Sequence, residues 1–396
     1  MISRMFRKSF LVCCLVASLG VAILVAQAEV PEAVRTPTLV PGLDNVVDAA
    51  VGDHFFLVAS ADGRVRSWGY NNYGQLGNGR VGAMSGAEPG KTMGFVVQGR
   101  AQPVEGLTDV IGVAAGGEHA LAVRRDGSVW GWGSNGSGQL ALGRNRHVAV
   151  PRPEAIPGIK GAVAVAARSS SSYALLADGT VIGWGDRLWR SGSRAVSSET
   201  PIPLPGVSTA VAIRAGLPSL ALLRDGHVVA WGSGYLGDGS PLQQDYAAVV
   251  VAQPAQVQGV DDAVAIATGA SMSAVIRRDG SVWVWGNDDQ GALGLGRPAA
   301  GAAPQRVAPT RIPGVANATD IAIASGSSIV AADGTLRTWG DARLGATGRS
   351  GIERIASPAL VPNVNQLVRV WASSYSNLGL AKDGKLMAWG SVFLAR

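Results

Sequence analysis

The chain has 396 residues, 47% of them hydrophobic and only 16% charged, against about 25% charged in ordinary soluble domains. Lys and Arg number 34 against 28 Asp and Glu, a net of +6 without a basic run, so the electrostatic footprint of a nucleic-acid binder is absent. Both cysteines, Cys13 and Cys14, lie close to the N-terminus, which excludes a disulfide framework in the rest of the chain.

The first element has the form of an export leader. Arg4, Arg7 and Lys8 precede an uncharged run from Phe10 to Ala26, and Ala26-Gln27-Ala28 before Glu29 has the small-x-small pattern of a signal-peptidase site. A signal peptide over residues 1–28 is expected, then a short tail over 29–33 and a folded body over 34–396, located in the periplasm or outside the cell. Seventeen apolar or small residues fall short of the roughly 20 that span a bilayer, so an uncleaved anchor is the lesser reading. Cleavage removes three basic residues, which lowers the net charge to +3, and leaves no thiol.

The body repeats. Asp62-Gly63, Asp126-Gly127, Asp178-Gly179, Asp225-Gly226, Asp279-Gly280, Asp333-Gly334 and Asp383-Gly384 are each followed, after four intervening residues, by a Trp-Gly pair beginning at Trp68, Trp132, Trp184, Trp231, Trp285, Trp339 or Trp389. Successive Asp residues are 64, 52, 47, 54, 54 and 50 apart, a period of repeat architectures. In the second copy, Thr108 to Ala115, His119 to Val123 and Ser128 to Trp132 read as three strands, the last two joined by an Asp-Gly hairpin. A fourth strand precedes every unit, ending near a Pro-Gly or its equivalent: Pro37 to Gly42, Val104 to Gly106, Pro153 to Gly158, Leu204 to Gly206, Val257 to Gly259, Ile312 to Gly314 and Val361 to Asn363. One such copy precedes the first hairpin and none follows the last, so the N-terminal strand must complete the last unit. Closure of this kind removes open sheet edges. The expected fold is all-β: a seven-bladed β-propeller of four-stranded antiparallel blades.

Gly116 to Gly143 spells nearly in full the pattern G-x-x-H-a-l-a-v-x-x-D-G-x-V-x-x-W-G-x-N-x-x-G-Q-L-G, and Trp68 to Gly77 repeats its second half. The unit closely resembles the regulator of chromosome condensation repeat, over about residues 34 to 390. The resemblance implies a propeller scaffold whose relatives range from nucleotide-exchange factors for a small GTPase to a secreted β-lactamase inhibitor. In the third copy Arg187-Leu188-Trp189-Arg190 replaces Gly-Gln-Leu-Gly, and only His54 and His119 stand at or beside the Gly-x-x-His position.

Two short motifs suggest nucleotide binding without the required context. Gly232 to Gly237 fits G-x-G-x-x-G but runs into Asp238-Gly-Ser-Pro241 and not into a helix, and Ser85 to Thr92 resembles a phosphate-binding loop with Ser at its first Gly and no helix pattern after it. No metal site, cofactor or catalytic triad is legible: His54, His119, His147 and His227 lack H-E-x-x-H spacing and there is no G-x-S-x-G elbow. A non-enzymatic chain is expected. A carbohydrate-active site would need carboxylates gathered at one end of the ring, and Asp53, Glu118 and Asp245 are the candidates.

In a four-stranded blade the first and third connections leave from one end, the hairpin turn and the blade-to-blade link from the other. The second end is uniform. The first is variable: its long connection takes 35 residues from Trp68 to Pro103 but 17 from Trp184 to Pro201. Specificity belongs on variable loops held by a rigid scaffold. Tyr70, Tyr73, Trp189, Tyr235, Tyr246 and Tyr375, aromatic residues outside the repeat phase, map to that end, and the insertion 80–100 is expected to form part of its rim. The expected function is an exported scaffold, monomeric and without a membrane span after cleavage, that binds a protein partner. A regulator of a small GTPase and an envelope enzyme are the alternatives.

Overall fold

The computed structural model describes residues 34–82, 97–143, 148–191, 194–239, 254–288, 291–296, 306–324, 327–342, 345–349, 354–373 and 376–392. These form seven four-stranded antiparallel sheets, each built from consecutive strands except the last. The chain opens with β1 (Val34–Leu39) and then lays down the first blade as β2 (Val46–Val51), β3 (Phe55–Ser60), β4 (Val65–Tyr70) and β5 (Val97–Pro103). The last blade contributes Leu367–Ser373, Ser376–Ala381 and Leu386–Gly390, and β1 supplies its outer strand. Val34 pairs with Gly390, Thr38 with Ala388 and Leu39 with Met387. The N-terminal strand therefore closes the ring, as the count of seven and seven requires.

Every repeat Trp is fully or almost fully buried, and each packs against the blade before it. Trp132, for instance, joins Leu57 and Leu76 of the first blade and Val113 of the second in one apolar cluster. Its indole N–H donates to the carbonyl of Gln75 (2.9 Å), and Trp184, Trp339 and Trp389 donate likewise to Gln139, Ala292 and Ala346. Among the described residues Trp68, Trp231 and Trp285 lack such a partner. They follow the last, third and fourth blades.

The Gly after each Trp has a local cause. All seven have positive φ, and a Cβ on Gly69, Gly133 or Gly286 would stand 2.3, 2.5 and 2.3 Å from a carbonyl oxygen of the facing strand or its turn. The Asp of Asp-Gly is a turn former: the carboxylates of Asp62, Asp126, Asp178, Asp225, Asp279 and Asp383 accept the N–H two residues on, at 2.9 to 3.1 Å. The sixth blade differs. Asp333 and Gly334 both have positive φ, as in a two-residue hairpin turn, and Asp333 accepts instead from the Asn317 amide.

Each innermost strand shifts register after its first pair, as at Val46/Asp48 and Leu367/Arg369. This bulge recurs in all seven blades where the strand enters the axial channel.

Candidate functional site

The loop end is built on a self-bonded frame. In the first blade the Asn71 side-chain oxygen accepts from the Leu76 N–H (3.0 Å), its amide donates to the Arg80 carbonyl (3.0 Å), and the Gln75 side chain accepts from the Tyr73 N–H (2.9 Å). The second blade repeats this through Asn135, Leu140, Gln139 and Ser137. Leu76 and Leu140 at the heart of these loops are wholly buried. The Asn and Gln of the repeat are thus structural, and they fix what the loops display.

Of the predicted contact residues, Tyr70, Tyr73 and Tyr235 are half-buried at this end. Tyr70 lies against the His54 ring, 4.9 Å between centroids, and burial raises its phenol pKa. Burial first, and then the charge of Asp238, raise that of Tyr235. Trp189 is a different kind of residue: it is 7% exposed and packs in the core of the third and fourth blades with Tyr173 and Trp231. The reason is a local change of structure. Here the compact loop is replaced by a long hairpin, Val181–Ser191 with Arg194–Pro203, in which Trp189 pairs with Val196 and Leu188 fills the place of Leu76. Tyr246, Tyr375, Asp245 and most of the insertion 80–100 lie outside the described residues, as does the phosphate-loop-like segment 85–92. Gly232 to Gly237 is described up to Gly239 without a helix, and 240–253 lie outside the described residues.

Two of the three candidate carboxylates lie near enough for the charge of one to act on the other. Burial and the charge of Asp53 hold the Glu118 carboxyl above its ordinary pKa, and Asp53 also faces Arg168, whose own pKa burial lowers. Asp53 and Arg168 line a vestibule of about 120 Å³ at the loop-end mouth of the axial channel. His119 serves structure: it is fully buried, and its Nε2 lies 2.8 Å from the Ser172 hydroxyl, which in turn donates to the Gln139 carbonyl (2.8 Å). Since the Ser172 proton is committed, Nε2 carries the imidazole proton. Among the described residues no cluster of three or more His, Cys, Asp or Glu has metal-holding geometry.

The channel itself holds groups that sequence reasoning passed over. It encloses about 360 Å³, walled largely by Ala, Val and Ile, with Asp48, Asp320, Arg214 and Arg369 among its lining. Asp48 accepts from the Val113 N–H (3.0 Å) and pairs with Arg369 (3.2 Å), which donates to the Val47 carbonyl (2.9 Å) and lies over the Trp371 ring. Asp320 accepts from the Val370 N–H (2.9 Å). The turn-end mouth is rimmed by Val47, Ile111, Val163, Val211, Val264 and Val368, exposed apolar residues at one register position, with Thr319 in the sixth blade. That collar was legible as the second residue of each inner strand.

Comparison with known proteins follows the same architecture. The profile of the RCC1-like domain matches residues 97–392, and that of the regulator of chromosome condensation (RCC1) repeat matches 46–75 and 62–123. The human E3 ubiquitin-protein ligase HERC2 is 31% identical over 296 residues, 70% of this chain but 6% of that protein. The ultraviolet-B receptor UVR8 of Arabidopsis thaliana is 32% identical over 154 residues, 38% of this chain and 32% of the receptor. Among solved structures, yeast RCC1 (Prp20) bound to Kap60 superposes with a TM-score of 0.68 at 21% identity, covering 87% of this chain and 80% of that one. Human WBSCR16 gives 0.70 at 21% identity, covering 91% and 90%. With the seven blades, the closing strand and a domain profile spanning three quarters of its length, the chain belongs to the RCC1-like propeller family.

Proposed function

We propose that this protein is an exported, non-catalytic propeller that binds a protein partner on its loop end. The observation that carries the reading is the contrast within that end: connections of very different length and composition stand on one rigid ring, and in the first two blades the Asn and Gln of the repeat hold the loop fixed. Tyr73 and Tyr235 stand on these loops as half-buried aromatic anchors, the residue type that commonly dominates binding energy. The structural relative yeast RCC1 (Prp20) was solved with the protein Kap60 bound to it. The leader-like residues 1–28 support export and weigh against a GTPase regulator, whose target is cytoplasmic. Among the described residues no helix is long and apolar enough to cross a membrane.

The experiment is affinity capture from envelope extracts with the chain from Glu29 as bait. Tyr73→Ala or Tyr235→Ala is expected to weaken capture by about 2 kcal/mol, whereas Lys385→Ala beside the Asp383-Gly384 turn changes it by less than about 0.5 kcal/mol. The opposite ranking moves the partner to the turn end. N-terminal sequencing of the envelope protein should begin at Glu29; an intact Met1 chain in the cytosol refutes export.

A further inference from the structure

The axial channel breaks the ring's symmetry at two levels. At the level of Arg214 the equivalent positions in five other blades are Ala50, Ala114, Ala166, Ala267 and Ala322, and the sixth is Trp371. One level nearer the turn end stand Asp48, Asp320 and Arg369, and the remaining four positions are Gly or Ala.

These four charged groups are not equally satisfied. Asp48 and Arg369 pair with one another. Arg214 makes one hydrogen bond among the described residues, from Nη1 to the carbonyl of its neighbour Ile213 (3.0 Å), and it remains exposed to the channel. Asp320 has the Val370 N–H but no ion pair among the described residues. Arg214 lies near enough for its charge to lower the Asp320 pKa, yet burial outweighs it and holds that carboxyl above its ordinary value. An unpaired cation and an unpaired carboxyl thus share a small, apolar-walled space.

We propose that the channel binds a small zwitterion of the amino-acid class, its carboxylate on Arg214 and its ammonium on Asp320. A lone anion would meet Arg214 but be opposed by Asp320 and Asp48, and a lone cation would be opposed by Arg214 and Arg369. A molecule carrying both signs satisfies each group at once, and in a space sheltered from bulk water such contacts are stronger than at an open surface. Size agrees: about 360 Å³ lies at the lower end of small-molecule pockets, with no room for a polymer. The vestibule lined by Asp53 and Arg168 adjoins this space, sharing Ala115, Ala167 and Thr268 with it. The channel residues Arg214 and Asp320 are separate from the aromatic residues proposed for the loop-end surface.

The test is calorimetric titration of the protein from Glu29 with glycine and with 4-aminobutyrate, which differ in charge separation, and with acetate and methylammonium as half-ligands. At least one zwitterion is expected to bind with Kd below about 1 mM, and both half-ligands at least about tenfold more weakly. Arg214→Ala and Asp320→Asn should each weaken zwitterion binding at least about tenfold. Arg214 bonds only to the carbonyl of its own neighbour Ile213, so its variant should melt like the parent and remains decisive if Asp320→Asn fails to fold. Saturable binding of neither zwitterion, acetate binding as tight as theirs, or unchanged affinity in Arg214→Ala overturns the proposal.

Discussion

The buried His119 makes one pH dependence calculable. Burial outweighs the Ser169 carbonyl and lowers its pKa from the ordinary 6.5 to about 4, so the folded ring refuses a proton that the unfolded chain accepts. Its contribution is fully present above pH 6.5 and is lost as pH falls through the window from 6.5 to about 4, a total of about 3 kcal/mol. Phe55 holds the same position in the first blade: a Cβ on Gly52 would meet the Phe55 ring at 2.1 Å, as one on Gly116 would meet His119. His119→Phe is therefore expected to fold and to remove this slope. The check is urea denaturation of both proteins from pH 4 to 7, and parallel stability curves would place the His119 ring in solvent. Single residues of this kind were legible only in part. His119 could be assigned to structure because it sits in a repeat phase, whereas Trp189 lies where the repeat breaks, and nothing in Arg-Leu-Trp-Arg announces a long hairpin that turns its ring inward.

Among the elements, β1 is distinctive because its partner lies at the other end of the chain. Two of its residues, Val34 and Pro37, are partly buried and the other four exposed, so it adds little apolar area of its own, yet without it Leu386–Gly390 becomes an open edge. Deleting 34–43 is expected to unfold the protein or drive it to oligomers, whereas trimming 29–33, outside any repeat, should leave the melting temperature within about 2 °C. Melting curves with size-exclusion chromatography check this, and an unaltered monomer after the longer deletion would mean that the ring holds without its clasp. The strands themselves were readable because the Asp-Gly turn, the Trp-Gly pair and the Pro-Gly link each impose a backbone requirement that few residues meet. The inner-strand bulge was not: Val-Val-Asp-Ala-Ala-Val carries no glycine or proline to mark it, and it arises from packing around the axis.

On the scale of the whole molecule, the channel groups show how a ring of near-equal blades is secured at its seam. Asp320 of the sixth blade bonds to the seventh, Arg369 of the seventh to the first, and Asp48 of the first to the second. At the same level the third, fourth and fifth blades have only Ala164, Ala212 and Ala265. The polar ties therefore gather around the closing blade and its neighbours and are missing from the third to fifth blades. Arg369→Met should leave the Asp48 carboxylate half-paired in a sheltered site. Because the Arg369 side chain is 39% exposed, the expected loss is about 1–3 kcal/mol, short of the 3–5 kcal/mol for a fully buried pair. The double change Arg369→Met with Asp48→Asn should recover part of it, since no charge is then stranded. Hydrogen exchange gives the sharper readout. Amides of β1 and of Leu367–Ser373 should lose protection first, with those of the third to fifth blades unchanged. Uniform loss around the ring would mean that these ties serve stability in general and not closure.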